Sequence, residues 1–201
     1  EIDGFPFQST DRVRSSPAVG DVDNDGQLEV VFGNSAGKLY IINYDGTQQL
    51  AYTILGFIEG APALVDIDGD QDLEIFFTTT TTSGGHLYAI HHNGITMSGF
   101  PKELGSMWAG PAVHDIDNDG VYDIVCTTYD KEIYAIDMNG GITKPGFPFA
   151  TSGRFSISPT IVDVDSDGDY EIVVGSNDGE LFVLNHDGTI FAQYDTGDDI
   201  R

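Results

Sequence analysis

Acidic side chains recur at alternate positions in four short segments of the chain. The segments are DVDNDGQLEV from Asp21, DIDGDQDLEI from Asp66, DIDNDGVYDI from Asp115 and DVDSDGDYEI from Asp163. In each segment carboxylates occupy positions 1, 3, 5 and 9, and a backbone carbonyl is expected to serve as ligand at position 7. Carboxylates on a tightly turning loop converge on one point, and a bound cation offsets their mutual repulsion. The spacing therefore predicts four metal-binding loops.

The predicted donor set consists of oxygen atoms alone. Without histidine or cysteine among the donors, the loops favour calcium over zinc or copper, and their ligand number suits calcium better than magnesium. We expect up to four calcium ions. The predicted ligands are Asp21, Asp23, Asp25, Gln27 and Glu29; Asp66, Asp68, Asp70, Asp72 and Glu74; Asp115, Asp117, Asp119, Val121 and Asp123; and Asp163, Asp165, Asp167, Asp169 and Glu171.

The EF-hand shares the opening of this pattern but differs further along. An EF-hand needs a bidentate glutamate at position 12 and flanking helices. Position 12 is occupied here by Phe32, Phe77, Cys126 and Val174, none of which is a calcium ligand. The flanking segments are short, β-branched and aromatic, which is typical of strands. The EF-hand is therefore excluded.

The acidic loops belong to a longer repeat, because they recur every 45 to 49 residues. A period in this range is typical of β-propeller blades, each built from four short strands. We predict an all-β fold, a β-propeller of four-stranded blades, as a single domain over residues 1–201 with repeats at about 10–57, 58–101, 102–148 and 149–196. The blades either close as a ring of four or form part of a larger ring.

A recurring Gly-Phe-Pro tripeptide and one irregular loop stand out within the repeats. The tripeptide begins at Gly4, Gly99 and Gly146, and we interpret it as the connection between blades. Position 6 of the loop is glycine in three repeats but Gln71 in the second. A residue other than glycine at positive φ is strained by roughly 1 kcal/mol, so we expect the second site to bind calcium most weakly.

The loops and their surroundings resemble the FG-GAP repeat of the integrin α-chain propeller and its bacterial secreted relatives. The residues that give the repeat its name are present as Phe32-Gly33 and Gly60-Ala61-Pro62. The resemblance implies that positions 1, 3, 5, 7 and 9 bind calcium. It also implies that the ions are mainly structural, in modules that contact proteins or glycans.

The charge of the chain restricts its partners. With 33 acidic and 8 basic residues the net charge is -25, which repels nucleic acid. No apolar stretch is long enough for membrane insertion. Calcium sites of micromolar to millimolar affinity are filled outside cells, so we expect an extracellular or cell-surface location.

The expected function is that of a calcium-binding scaffold for adhesion, protein–protein interaction or self-assembly through the terminal strands, with a protein or glycan as ligand. We predict no catalytic residues and no enzymatic activity, because the repeat accounts for every clustered acid and no nucleophile signature is present. The alternative is a carbohydrate-binding or polysaccharide lyase-type propeller fragment, since paired carboxylates can also act as acid and base.

Overall fold

A computed structural model describes residues 4–139 and 141–200. These residues form antiparallel β-sheets and contain no helix, so no described segment could cross a membrane as a helix. The all-β prediction is confirmed.

Within the described residues, seventeen strands make four sheets, which we call blades 1 to 4. Blade 1 contains β1 (Ala18–Gly20), β2 (Glu29–Gly33), β3 (Lys38–Ile42) and β4 (Gln48–Thr53); blade 2 contains β5 (Ala63–Val65), β6 (Glu74–Thr78), β7 (His86–Ile90) and β8 (Lys102–Glu103); blade 3 contains β9 (Ala112–His114), β10 (Asp123–Thr127), β11 (Glu132–Asp137), β12 (Ile142–Thr143) and β13 (Phe149–Ala150); blade 4 contains β14 (Thr160–Val162), β15 (Glu171–Gly175), β16 (Glu180–Leu184) and β17 (Ile190–Asp195).

The first four strands of each blade pair in sequence order from the inside of the propeller outwards, and in blade 3 the additional strand β13 pairs with β11 beside β12. The short innermost strands β1, β5, β9 and β14 neighbour one another in that order. The second and third strands of blades 2 and 3 are apolar and buried on both faces, because a neighbouring blade covers each face. This arrangement confirms the predicted β-propeller of four-stranded blades.

Three hydrophobic clusters join the blades in a row. Leu39 and Ile41 of blade 1 pack with Ile75 and Phe77 of blade 2. The same pairing of faces recurs between blades 2 and 3 and between blades 3 and 4. Cys126 belongs to the second of these clusters, and its burial raises the pKa of the thiol to about 12. The repeated contact explains why equivalent positions carry side chains of similar character.

The two ends of this row are less covered than its interior. Phe32 of blade 1 occupies the position equivalent to Phe77 of blade 2 but is only partly buried. Leu181 of blade 4 is likewise only partly buried, whereas the equivalent Leu39 of blade 1 is fully buried. No hydrophobic cluster among residues 4–139 and 141–200 joins blade 4 to blade 1. The described chain is thus an open row of four blades.

The Gly-Phe-Pro tripeptide lies within the outer part of a blade, so its interpretation as a connection between blades was wrong. In blade 3 it separates β12 from β13, and both of these short strands pair with β11. In blade 2 it precedes β8, which pairs with β7. The outer strands therefore continue two residues past the repeat limits drawn at 101 and 148. All three copies contain a cis Phe-Pro bond.

The glycines of the FG and GAP motifs lie where neighbouring blades approach most closely. A Cβ atom at Gly33 would collide with the side chain of Ile58, at the entry to blade 2. A Cβ atom at Gly60 would collide with the backbone of Ala109 and Gly110, at the entry to blade 3. Only glycine fits these approaches, because side chains and backbone on the opposite side are already packed.

We expect Gly60→Ala to destabilise the protein by about 1–3 kcal/mol, the usual cost of overpacking a well-packed site. The free energy of unfolding from urea titration, followed by tryptophan fluorescence and circular dichroism, measures the effect. Gly20→Ala is the control, because the added methyl group there meets the flexible end of Leu73 at 2.8 Å instead of backbone. Equal effects of the two variants would contradict this account of the GAP glycine.

Candidate metal centres

The first aspartate of each acidic loop organises the backbone of that loop. The loops connect the innermost strand of a blade to its second strand. In the first loop Asp21 accepts hydrogen bonds from the N–H groups of Asp25 and Gly26, both at 3.0 Å. The first aspartates of the other loops accept equivalent bonds from Gln71 (3.1 Å), Gly120 (2.9 Å) and Gly168 (3.3 Å). Position 1 thus holds the loop in a tight turn.

The carboxylate at position 9 begins the second strand of each blade and is almost fully buried. Its side chain accepts a hydrogen bond from the N–H group at position 2 of the same loop. These bonds join Glu29 to Val22 at 3.0 Å, Glu74 to Ile67 at 3.2 Å, Asp123 to Ile116 at 3.3 Å and Glu171 to Val164 at 2.8 Å. One oxygen of each group is thereby bound to the backbone, and in the first, third and fourth loops the carboxylate also lies close to two other acids of the loop.

The structure brings three acids of each loop together, with carboxylate oxygens within 4.8 Å of one another. In the first, third and fourth loops these acids occupy positions 1, 3 and 9, and in the second loop positions 1, 3 and 5. The groups are Asp21, Asp23 and Glu29; Asp66, Asp68 and Asp70; Asp115, Asp117 and Asp123; and Asp163, Asp165 and Glu171.

The remaining predicted ligands lie outside these groups. The position-5 carboxylates of Asp25, Asp119 and Asp167 each accept the N–H group of position 7, which is Gln27, Val121 or Asp169. In the second loop Asp70 accepts the N–H group of Asp72 in the same way, and Glu74 contacts His91 instead of joining its cluster. Ligation by the position-7 carbonyls stays a prediction.

Several carboxylate oxygens in the loops are buried without a donor. Oδ1 of Asp23, Asp72, Asp117 and Asp123 has no hydrogen-bond partner in the described part of the chain. A buried polar atom normally has a partner, and an oxygen aimed into a group of other carboxylates fits a cation best. Asp23, Asp117 and Asp123 belong to such groups, so their oxygens suit a cation such as calcium, whereas Asp72 lies outside the cluster of its loop.

Burial also shifts the titration of the inner carboxylates. It raises the pKa of Glu29 and Glu74 above the usual value, against the opposing effect of their backbone hydrogen bonds. Burial raises the pKa of Asp123 to about 6, although hydrogen bonds from Lys144 and Ile116 oppose the shift. Because these groups are costly to ionise where they lie, a divalent cation would gain its binding energy partly by relieving that cost.

Five side chains contact loop acids in a way that was not foreseen from the sequence. Gln49 donates to Asp23 at 3.0 Å, and Lys144 contacts both Asp117 and Asp123. The other three are histidines, with His91 3.0 Å from Glu74, His92 2.8 Å from Asp72 and His186 3.4 Å from Asp169. These side chains lie beyond the third strand of their blade, 17 to 27 residues after the acids that they contact. For Lys144 the scarcity of basic residues was the available signal, since each of only eight lysines and arginines warrants an explanation.

Gln71 has a left-handed backbone, as the comparison of the loops predicts. Its φ is 78°, close to the 88° of Gly26 and the 87° of Gly120 at the same position. Each loop also has a left-handed residue at position 4, which is Gly69 in the second loop. The second loop thus has glycine at position 4, whereas its other left-handed position is occupied by Gln71, a residue type that is strained at positive φ.

We expect Gln71→Gly to stabilise the protein by about 0.5–1 kcal/mol, because it relieves a strained φ. The gain should appear in urea denaturation at saturating calcium, and the second site should bind calcium more tightly. Gln27→Gly is a matched control, since it removes the same side chain from the next position of the first loop, where φ is not left-handed. A gain in the control alone would contradict the role of strain.

The amino-acid sequence matches the model of a known repeat family. The model of the FG-GAP-like repeat matches residues 21–77 and 115–174, which together are more than half of the chain and contain all four loops. The chain belongs to the FG-GAP-like repeat family. No curated protein matches this FG-GAP-like chain.

Solved structures resemble the FG-GAP-like chain in fold at low sequence identity. BBS1N, from a crystal of its complex with ARL6DN soaked with lead, has a TM-score of 0.70 and 15% identity, covering 98% of this chain and 62% of its own. BamB from Moraxella catarrhalis has a TM-score of 0.66, 19% identity and coverages of 94% and 52%. The C-terminal domain of PilY1 from Pseudomonas aeruginosa has a TM-score of 0.65, 14% identity and coverages of 92% and 51%. The chain thus spans about half to three-fifths of the length of these propeller proteins.

Proposed function

We propose that this FG-GAP-like protein is an extracellular calcium-binding scaffold that presents a surface to a protein partner and has no enzymatic activity. The observation that carries the proposal is the convergence of three acids in each loop, with carboxylate oxygens within 4.8 Å of one another. In the first of these clusters Oδ1 of Asp23 is buried and has no hydrogen-bond donor in the described part of the chain. Family membership and the likeness to other propellers support a role in protein interaction. The clustered acids among the described residues all belong to the repeated loops, so a structural role accounts for them.

The residues of each loop would contribute to metal binding in different ways. Position 1 shapes the loop through its backbone hydrogen bonds and also offers an oxygen. Positions 3 and 9 bring carboxylates from the loop and from the start of the second strand, so an ion held between them would fix the loop to the blade. Calcium when bound supplies the positive charge that such a group of acids lacks.

The end of the blades opposite the acidic loops suits a partner. The segments that enter blades 2 and 3 lie at that end, because they precede the innermost strands whereas the loops follow them. Phe57 is 44% exposed and Trp108 is 41% exposed, and Arg154 lies 4.5 Å above the ring of Tyr129 next to Trp108. Exposed aromatic and arginine side chains are the types enriched in protein interfaces.

Chelation tests the calcium proposal directly. If free calcium exceeds the Kd tenfold, each site contributes about 1.4 kcal/mol, so we expect excess EGTA to lower Tm by about 10 °C or more for a chain of this size. Differential scanning calorimetry in calcium, EGTA and EGTA followed by excess calcium measures the loss and its reversal. An identical melt in all three conditions would refute structural calcium. Magnesium in place of calcium is the control for a general effect of ionic charge.

Self-association is a second candidate, favoured by the exposed ends of the row. Tyr52 of blade 1 lies between blades and contacts the rings of Phe77 and Tyr88 in blade 2. Tyr194 has the equivalent register in blade 4 but is 59% exposed. The end face of blade 4 is therefore equivalent to the face that blades 1, 2 and 3 each turn toward the next blade. The uncovered face of blade 1 is equivalent to the face that receives this contact in blades 2, 3 and 4.

If the end faces pair between copies, the mass from light scattering should rise with protein concentration, and Tyr194→Glu should return the protein to a monomer. Tyr44→Glu is the matched control, because Tyr44 is 57% exposed on a hairpin of blade 1, away from the end faces. A monomer at every concentration, or an equal effect of the two variants, would exclude this association.

A further inference from the structure

One of the four acidic loops contains a basic side chain of the protein itself. Nζ of Lys144 lies 2.7 Å from Oδ2 of Asp117 and 3.0 Å from Oδ2 of Asp123. These acids are positions 3 and 9 of the third loop, two of the three that form its cluster. Lys144 itself is only 8% exposed. An ammonium group thus occupies the place where the repeat pattern expects a calcium ion.

We propose that Lys144 replaces calcium in the third loop, so that the FG-GAP-like chain binds three calcium ions tightly and the third loop binds calcium most weakly. The inference rests on the proposed function, since it takes the other three loops to be calcium sites. It revises the expectation that the second loop is the weakest.

The backbone holds Lys144 firmly in this position. Its N–H group donates to the carbonyl of Ala135 at 2.9 Å, and its own carbonyl accepts the N–H group of Phe147 at 3.2 Å. The residue follows directly after β12, and Pro145 comes next in the chain. The side chain therefore leaves a fixed part of blade 3, and burial of its stem directs the ammonium into the loop.

In the described part of the chain, no lysine or arginine lies in a cluster of the other loops. Asp23 in the first loop receives one hydrogen bond from the neutral amide of Gln49. Histidines contact acids of the second and fourth loops that lie outside the clusters, with His91 at Glu74, His92 at Asp72 and His186 at Asp169. Within residues 4–139 and 141–200, no lysine or arginine other than Lys144 forms an ion pair with a loop carboxylate. The third loop thus differs from the other three in that a positively charged side chain lies within its cluster of carboxylates.

A calcium ion and the ammonium would compete for the same oxygens. Calcium lies about 2.3–2.6 Å from its oxygen ligands, so an ion shared by Asp117 and Asp123 would lie within a few ångströms of Nζ. Like charges at such a distance repel strongly in a partly buried site. Calcium can enter only if Lys144 moves away, and a buried ion pair that loses one partner is strongly destabilised. The ammonium instead braces this loop in the absence of metal.

Calorimetric titration of the metal-free full chain with calcium chloride tests the inference. We expect three tight calcium sites in the natural protein and a fourth in Lys144→Met. The calcium Kd of the third loop should fall by about tenfold or more in this variant, because the competing charge is removed. Lys131→Met is the matched control, because it removes an exposed lysine of the same blade and should leave three tight sites. Four comparable sites in the natural protein, or three in Lys144→Met, would overturn the proposal.

A second pair of variants keeps the test decisive if Lys144→Met does not fold without metal. Asp23→Asn and Asp117→Asn change the same position of the first and third loops. We expect Asp23→Asn to lose one tight site and Asp117→Asn to lose none. Loss of a tight site in both would overturn the role of Lys144. Absence of any calcium binding in the natural protein would instead show that the proposed function has failed.

Discussion

Mutual repulsion of carboxylates at the start of each blade's second strand is the constraint on which the other features depend. Glu29, Glu74, Asp123 and Glu171 are buried at this point with almost no exposure. A buried carboxylate is tolerated only when hydrogen bonds or a positive charge compensate for its lost hydration. The backbone supplies one hydrogen bond to each of these groups, and in the first, third and fourth loops the sharp turn brings the first aspartate within 4.8 Å of the buried carboxylate. The loop therefore gathers negative charge that a cation would compensate.

The same loops also connect the blades. The N–H group of Leu73 in the second loop donates to the carbonyl of Val22 in the first at 3.0 Å, and Tyr170 in the fourth loop donates to Ile116 in the third at 2.9 Å. Asn118 adds a side-chain hydrogen bond to Gly168 across the same junction. A cation that fixes one loop would thus also fix its contacts with the next blade. Hydrophobic packing between blades and charge compensation in the loops therefore act on the same junctions, so they should support each other.

The sequence predicts the features that depend on local chemistry. The repeat period, the strands and the acidic positions 1, 3 and 9 follow from residue type and spacing, and the left-handed φ of Gln71 follows from comparison with glycine in the sister loops. The path of the Gly-Phe-Pro segment was not predictable in this way, because β12 and β13 are two residues each and their pairing with β11 depends on the whole sheet. The position of Lys144 was missed for the same reason. It meets Asp117 across 27 residues of chain, and only the folded meander brings the two together.

The basic residues are distributed unevenly between the two ends of the blades. In a chain with 33 acidic and 8 basic residues, a positive charge has many possible partners, and its position is therefore informative. Lys144 points inward to two loop acids, whereas Arg14 is bound to Glu59 near Phe57, at the opposite end of the blades. Arg154 lies over Tyr129 at that same end. The acidic loops thus gather negative charge at one end, while arginine and aromatic side chains gather at the other. Because charged surfaces steer association through their long-range field, we expect the acidic loops to attract cations and to repel an acidic partner. Under the proposed function the two ends of the blades would therefore serve different ligands, with cations at the loops and a macromolecular partner at the opposite end.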